Sequence, residues 1–390
     1  MALADVAPVS TCVRAARCRA CGESGLERVL DLGLQPVADW LIEPCAAPES
    51  EARYPLVLRS CRRCMLLQLA AFAGEERVQG HAHSGGLSST VGQHDAAWAR
   101  EMVARLGLSR ASVVVDSGGG GKGVAHALDR LGVRTVAPTE CRPHRADLVV
   151  SNHSLAHALD LGRAVADLIA PLSEEGTVAV EFHHAARLLT ETQFDLICHP
   201  HRTYLSVAAV VKTFARHGLV SVDAREIPVH GGSVRLYARR GSGAPGPTVD
   251  RLMAAERCEG LGDRAHHRAL ARRVEIASTR VRSFLEQARS EGRTVLGYGA
   301  PSRASTLLNH CGVTAALLPA TVDRSPSKQG RALPGCRVPI HAPGLLTDLK
   351  PDYVLILAWT LADEIMEQLP EVRSWGGRFV TPLPDVRVLQ

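Results

Sequence analysis

Short apolar runs alternate with amphipathic stretches through most of the chain. Val113-Val-Val-Asp116, Ala146-Asp-Leu-Val-Val-Ser151 and Gly176-Thr-Val-Ala-Val-Glu181 have the length and β-branched content of buried strands. Between and before them, helical spacing runs from Ala97 to Leu108, from Val124 to Leu131 and from about Leu159 to Leu172. This alternation predicts a doubly wound sheet. Arg134-Thr-Val-Ala-Pro138 adds a further strand, but only eight residues, Thr139 to Ala146, lead to the next one. A helical crossover between neighbouring parallel strands needs about ten to twelve.

A second unit repeats the pattern. After the linker Gly241-Ser-Gly-Ala-Pro-Gly-Pro-Thr248, a long helix is expected over roughly Val249 to Ser290. Thr294-Val-Leu-Gly-Tyr298 then enters the turn Gly299-Ala-Pro-Ser-Arg303 and a helix. Ala320-Thr-Val-Asp323 and Tyr353-Val-Leu-Ile-Leu-Ala-Trp359 are further strands. The expected fold class is α/β and multidomain: a small zinc-binding N-terminal domain (residues 1–90) and two doubly wound Rossmann-like domains (91–240 and 249–390).

The first 90 residues carry less apolar material and two pairs of cysteines, Cys18-x-x-Cys21 and Cys61-x-x-Cys64. Each C-x-x-C is a knuckle with two thiolates, and two knuckles make the tetrahedral shell of structural zinc. A closed four-sulfur shell leaves no open position, so no catalytic role is expected for the metal. Val29-Leu-Asp-Leu-Gly33-Leu-Gln-Pro36 between them reads as a strand and turn.

Charge and composition exclude several classes. A net charge of +5 over 390 residues, spread as single arginines among acids, makes no basic stripe, so no nucleic acid is expected as a partner. With aromatics at 4%, stacking platforms for single strands are few. No apolar run reaches the roughly 18 to 20 residues that span a bilayer, and Met1-Ala-Leu-Ala-Asp5 lacks a basic, apolar leader. The expectation is a cytoplasmic protein without membrane contact, whose 11 cysteines serve as thiols and metal ligands.

Chemistry is expected first in the stretch from Asp195 to Gly232. His199 and His201 follow an apolar Leu-Ile pair that reads as a strand end, and a period of two would send both rings to one side. Histidine titrates closest to neutrality, which suits acid/base work. In a chain with 17 histidines, both are also compatible with ordinary loop positions. A second candidate is the turn after Val113–Asp116, Ser117-Gly-Gly-Gly-Gly-Lys-Gly123, where Asp116-x-Gly118-x-Gly120 fits the first motif of methyltransferases that use S-adenosylmethionine. Four glycines in a row equally suit a loop that holds nothing.

Taken together, the motifs resemble those of the bacterial deoxysugar C-methyltransferases over nearly the whole chain. The matching stretches are Cys18-x-x-Cys21-Gly with Leu30-Asp-Leu-Gly33-x-Gln-Pro36, Phe194-Asp195 with His199 and His201, Pro228-Val-His-Gly-Gly-Ser233, Tyr298-Gly-Ala300, Asp323-Arg-Ser-Pro-Ser-Lys-Gln-Gly330 and Ala358-Trp359. The resemblance implies a zinc domain, a S-adenosylmethionine domain and a Rossmann-like domain that together handle a nucleotide-linked 4-keto-6-deoxyhexose, with dTDP as the expected carrier. It places His201 as the general base of enolisation, with His157 as a second active-site histidine and His199 beside them. Tyr204, His230, Gly231, Tyr298, Arg303, Asp323 and Lys328 become expected substrate contacts. Arg303 stands where the family usually has lysine.

The chain departs from the family in its middle. Pro138 occupies the place of the acidic residue that holds the cofactor ribose, and about thirty residues that wall the adenine are missing. A tyrosine-rich segment is replaced by Gly80-His-Ala-His-Ser-Gly, and Tyr-His-Glu-His has become Cys198-His199-Pro200-His201. Histidines are gained at positions 81, 83, 153, 183 and 184. S-adenosylmethionine is therefore a doubtful cofactor on the sequence alone. The leading expectation is a cofactor-independent epimerase or isomerase of the keto sugar. The alternatives are a S-adenosylmethionine-dependent sugar C-methyltransferase and a non-catalytic sugar-nucleotide-binding protein. The sequence leaves the oligomeric state open.

Overall fold

The computed structural model describes residues 12–14, 16–44, 51–73, 88–119 and 123–389. Strands β1 (Glu27–Pro36), β2 (Arg53–Ser60) and β3 (Leu67–Leu69) form an antiparallel sheet beside the cysteine knuckles. Alternation of apolar side chains buries Leu30, Leu32, Leu56 and Leu58 on one face. That face packs against a helix of the C-terminal half.

The middle sheet contains β4 (Val114–Gly119), β5 (Thr135–Val136), β6 (Ala146–Asn152) and β7 (Leu172–His183). After β8 (Thr203–Tyr204), which belongs elsewhere, β9 (Leu219–Ile227) and β10 (Ser233–Arg240) complete it in the order β9-β10-β7-β6-β4-β5. The four strands from β5 to β7 are parallel, and β10 and β9 are antiparallel additions. The chain leaves β5 by a 3-10 turn at Pro138–Glu140 in place of a helix, and β5 is the sheet edge. Helix α1 (Ser89–Leu106) packs across α2 (Gly123–Arg130), while α3 (Leu161–Ile169) and α4 (Val207–Arg216) lie in the second apolar layer.

The expected single helix from Val249 to Ser290 is two: α5 (Pro247–Cys258) and α6 (Arg264–Ser290). Gly260-Leu-Gly262 breaks the run, and the Asp263 carboxylate accepts from the Ala265 N–H to start the second helix. The C-terminal sheet follows, with β11 (Val295–Tyr298), α7 (Ser302–His310), β12 (Thr321–Val322), β13 (Ile340–His341), β14 (Tyr353–Ile356), β15 (Arg378–Thr381) and β16 (Arg387–Leu389). Its order is β13-β12-β11-β14-β15-β16, parallel except for the last pair. No helix among the described residues is long and apolar enough to cross a membrane.

Both large sheets have a switch point, where strand order runs outward in two directions. In the middle sheet it lies between β4 and β6, and in the C-terminal sheet between β11 and β14. Ligands of open α/β sheets bind outside the carboxyl ends of the strands at such points.

Candidate active site

At the carboxyl end of the middle sheet, Gly119, Asn152 and Glu181 stand level across three parallel strands. His153 follows β6, and His183 ends β7 on the same face as Glu181. The His153 ring lies 4.3 Å from the His183 ring and 5.2 Å from that of His230, centroid to centroid. His201 lies 5.8 Å from His183 and 5.0 Å from His157. All five residues are half-buried, and each ring has another of the five as a neighbour. Burial, with His153 and His230 close by, holds the His183 imidazolium well below its usual range; His230 is lowered to about 3 for the same reasons.

His201 is held by its neighbours on both sides in the chain. The Nδ1 of His201 faces the Leu196 carbonyl at 3.4 Å, and His157 Nδ1 donates to the Pro200 carbonyl at 2.9 Å. Upstream, the Trp359 indole donates to Asp195 at 2.7 Å and the Thr306 hydroxyl to the Ile197 carbonyl at 2.8 Å, so the C-terminal unit grips this end. Downstream, β8 pairs antiparallel with β3, Thr203 opposite Gln68 and Tyr204 opposite Leu67, so the zinc sheet grips the other.

His199 departs from expectation. The segment before it is a 3-10 turn (Phe194–Leu196) and coil, not a strand, so the two-residue period does not apply. His199 is fully buried, its Nε2 facing the Gln35 carbonyl at 3.4 Å and its ring edge against Tyr54. Burial lowers its pKa to about 4. Tyr204 is also withdrawn, with its hydroxyl accepting from the Cys198 N–H at 3.0 Å inside the turn. Burial pushes the Cys198 thiol far up, which makes it inert packing.

The C-terminal switch point faces this cleft. Arg303, at the start of α7, has Nη1 3.7 Å from Asp195 and Nη2 3.4 Å from the His230 carbonyl, and its guanidinium lies over the Trp359 ring. His230 and Gly231 occupy left-handed backbone, and a Cβ on Gly231 would stand 3.0 Å from the Gln193 amide. Tyr298 lies in the core beneath, beside Val322 and Ile356. Asp323 accepts from the Ala300 N–H and Lys328 donates to the Ala300 carbonyl, so both fasten the turn after β11.

The glycine turn is partly outside the described residues, as are Gly120, His81 and His83. Asp116 accepts from the Gly118 N–H at 3.0 Å and shapes the turn, with burial raising its pKa. Beside the turn, Asp95 Oδ1, Asn152 Oδ1 and both ring nitrogens of His153 are buried without a hydrogen-bond partner. A Cβ on Gly123 would overlap the Asp95 carboxylate. Unsatisfied buried polar atoms of this kind fit a polar ligand such as S-adenosylmethionine. Asp95 and His94 carry no signal in the sequence, because they sit inside an ordinary helix pattern; Glu181 is visible only as an acid ending an apolar run.

The four knuckle sulfurs lie within 4.8 Å of one another, with Cys18 and Cys64, and Cys21 and Cys61, each 3.5 Å apart. Four convergent thiols at this spacing fit one tetrahedral zinc ion.

A family model described as a C-methyltransferase C-terminal domain matches residues 228–384, and one described as a zinc binding domain matches residues 18–78. The C-methyltransferase NovU of Streptomyces niveus is 30% identical, covering 95% of this chain and 96% of its own. The chain belongs to the C-methyltransferase family. Among solved structures, the 1,6-didemethyltoxoflavin-N1-methyltransferase of Burkholderia thailandensis is 18% identical over 41% of this chain and 82% of its own, with a TM-score of 0.31. A mitomycin 7-O-methyltransferase is 17% identical over 40% of this chain and 62% of its own, at 0.29.

Membership corrects the leading sequence expectation. A cofactor-independent epimerase or isomerase is overturned by the near full-length match to a C-methyltransferase and by the matching C-methyltransferase domain. The losses around Pro138 are local, whereas the likeness extends across both sheets and the zinc knuckles. The alternative weighed in the sequence, a C-methyltransferase, is the supported one.

Proposed function

We propose that this chain is a S-adenosylmethionine-dependent C-methyltransferase whose substrate is a dTDP-linked 4-keto-6-deoxyhexose. One observation carries the reading: five histidine rings gather at the carboxyl end of the middle sheet, and Arg303, from the turn after the first strand of the C-terminal sheet, reaches the His230 carbonyl and Asp195 beside them. The switch point of the middle sheet suits a methyl donor and that of the C-terminal sheet a nucleotide sugar. We further read residues 1–90, 91–240 and 249–390 as the three functional units.

His201 removes the proton beside the sugar ketone. With Nδ1 directed at the Leu196 carbonyl, the basic lone pair lies on Nε2. His157 stands on its other side, fixed through Pro200. Arg303, buried and cationic, faces the same space and stabilises the enolate oxygen as charge builds there. S-adenosylmethionine supplies the electrophilic methyl group. Asp95, Asn152 and Asp116 with Gly118 would hold it at the end of β4 and β6.

The test is transfer of labelled methyl from S-adenosylmethionine to dTDP-4-keto-6-deoxyglucose. The label is expected on a ring carbon, and His201→Ala should lower its transfer by about a hundredfold or more. Absence of transfer by the wild type would sink the assignment, and an active alanine variant would remove His201 from it.

A further inference from the structure

Asp195 takes no part in the steps above, yet it brings a buried acceptor to the side of a buried donor. The residue is 1% exposed; its Oδ2 accepts from the Trp359 indole at 2.7 Å, and its Oδ1 has no hydrogen-bond partner. Arg303 Nη1 stands 3.7 Å from that Oδ2 and has no hydrogen-bond partner either. An arginine and a carboxylate ordinarily close on each other through two parallel hydrogen bonds, which would satisfy both atoms. Here the guanidinium is held off, with Nη2 3.4 Å from the His230 carbonyl and its carbon 5.3 Å above the centre of the Trp359 ring. A buried acceptor and a buried donor left unpaired side by side cost free energy that a third group carrying both functions recovers.

We propose that Asp195 recognises the substrate: its Oδ1 accepts a hydrogen bond from the sugar hydroxyl on the carbon next to the ketone, the ketone whose oxygen Arg303 faces. This rests on the substrate being a nucleotide-linked keto sugar, as read above.

The chemistry of the two sides matches. In a 4-keto-6-deoxyhexose, one of the two carbons flanking the ketone bears a hydroxyl and the other bears the methyl carbon. The ketone oxygen accepts and the hydroxyl donates, so an arginine beside a carboxylate reads the pair in one sense and not in the reverse. Asp195 also belongs to the segment of the base: the 3-10 turn Phe194–Leu196 carries it, and the Leu196 carbonyl of that turn faces His201 Nδ1 at 3.4 Å. Holding both oxygens from that segment removes the rotation of the sugar ring, so that the same flanking carbon meets His201 at each turnover. Burial raises the Asp195 pKa, with Arg303 and the Trp359 indole opposing it. A hydroxyl donating to Oδ1 joins those two in favouring the carboxylate.

The test is calorimetric binding of two sugars to the zinc-loaded protein without a methyl donor: dTDP-4-keto-6-deoxyglucose, and dTDP-4-keto-3,6-dideoxyglucose, which lacks the hydroxyl. Wild type should bind the second about tenfold or more weakly, the usual scale for a hydrogen bond to a charged group. In Asp195→Asn the amide oxygen still accepts from Trp359 while the charge at Oδ1 is gone, so the two sugars should bind within about threefold of each other. A residue that only supports the fold would weaken both sugars by one factor, and the wild-type ratio persisting in the variant would overturn the contact. So would a wild type that binds both sugars within about threefold, an outcome that does not depend on the variant's folding. Failure of wild type to bind either sugar would overturn the keto-sugar reading instead.

Discussion

Arg303 shows most directly how position sets a residue's work. Its side chain is one-tenth exposed, stacked on Trp359 and 3.7 Å from Asp195, and its Nη1 makes no hydrogen bond. A buried guanidinium with a spare donor facing a cleft is suited to charge that develops during reaction. The sequence grouped it with the expected contacts to the nucleotide-linked substrate, where a diphosphate is the other anion it could meet. The two roles separate kinetically. For an enolate contact, Arg303→Met should lower kcat by about a hundredfold with the KM for sugar nucleotide little changed. A diphosphate contact would raise KM and spare kcat. The residues legible in advance were those with a motif around them: His157, His201 and His230 do reach the cleft. His199 does not, because its position was inferred from strand periodicity in a segment that turns. His94 and Asp95, in the middle of α1, had no local pattern to mark them.

Among elements, α5 shows what a buried histidine contributes outside the cleft. His184 lies between two carboxylates, with Nε2 2.9 Å from Glu256 and Nδ1 3.2 Å from Glu226. Neither carboxylate can donate, so both ring nitrogens carry protons and the ring is an imidazolium. Glu256, fully buried on α5, also accepts from the Val207 and Ala208 N–H groups at the start of α4. One carboxylate thus ties two helices to the segment after β7. Burial would lower the His184 pKa, but the two carboxylates outweigh it and raise it to about 8. A raised folded pKa contributes stability in full below the unfolded value of 6.5, and loses it as pH rises through about 8. The contribution is about 2 kcal/mol. Wild type should therefore exceed His184→Gln in urea-unfolding stability at pH 6, and the gap should narrow by about that amount at pH 9.5. A gap independent of pH would refute the imidazolium. Element types were largely legible, because apolar periodicity dominates both sheets. The break between α5 and α6 was missed, since a glycine pair inside a long amphipathic stretch resembles tolerated helix glycine.

Across the whole molecule, the zinc knuckles connect through backbone pairing to the segment that carries His201, the proposed base. Cys61 and Cys64 close the turn that begins β3, with the Met65 N–H donating to the Cys61 carbonyl, and Gln68 accepts from the Arg19 N–H beside Cys18. β3 pairs with β8, Leu69 N–H donates to the Arg202 carbonyl at 3.0 Å, and His201 is the next residue. The knuckle cysteines share a core with Leu66, Leu205 and Phe214. The metal site is thus connected to His201, the proposed base, through the pairing of Thr203 and Tyr204 with Gln68 and Leu67, a link that motif spacing could not show because β8 lies more than 130 positions along the chain from β3. Stripping the zinc should release β8. Amide exchange at Thr203 and Tyr204 should speed up together with loss of methyl transfer, and zinc should restore both. Cadmium fills the same four-sulfur shell with different Lewis acidity. If the metal only holds the base in place, the cadmium protein keeps its kcat to within about twofold of the zinc protein. A large change of rate on that exchange, with β8 still protected, would place the metal in the chemistry.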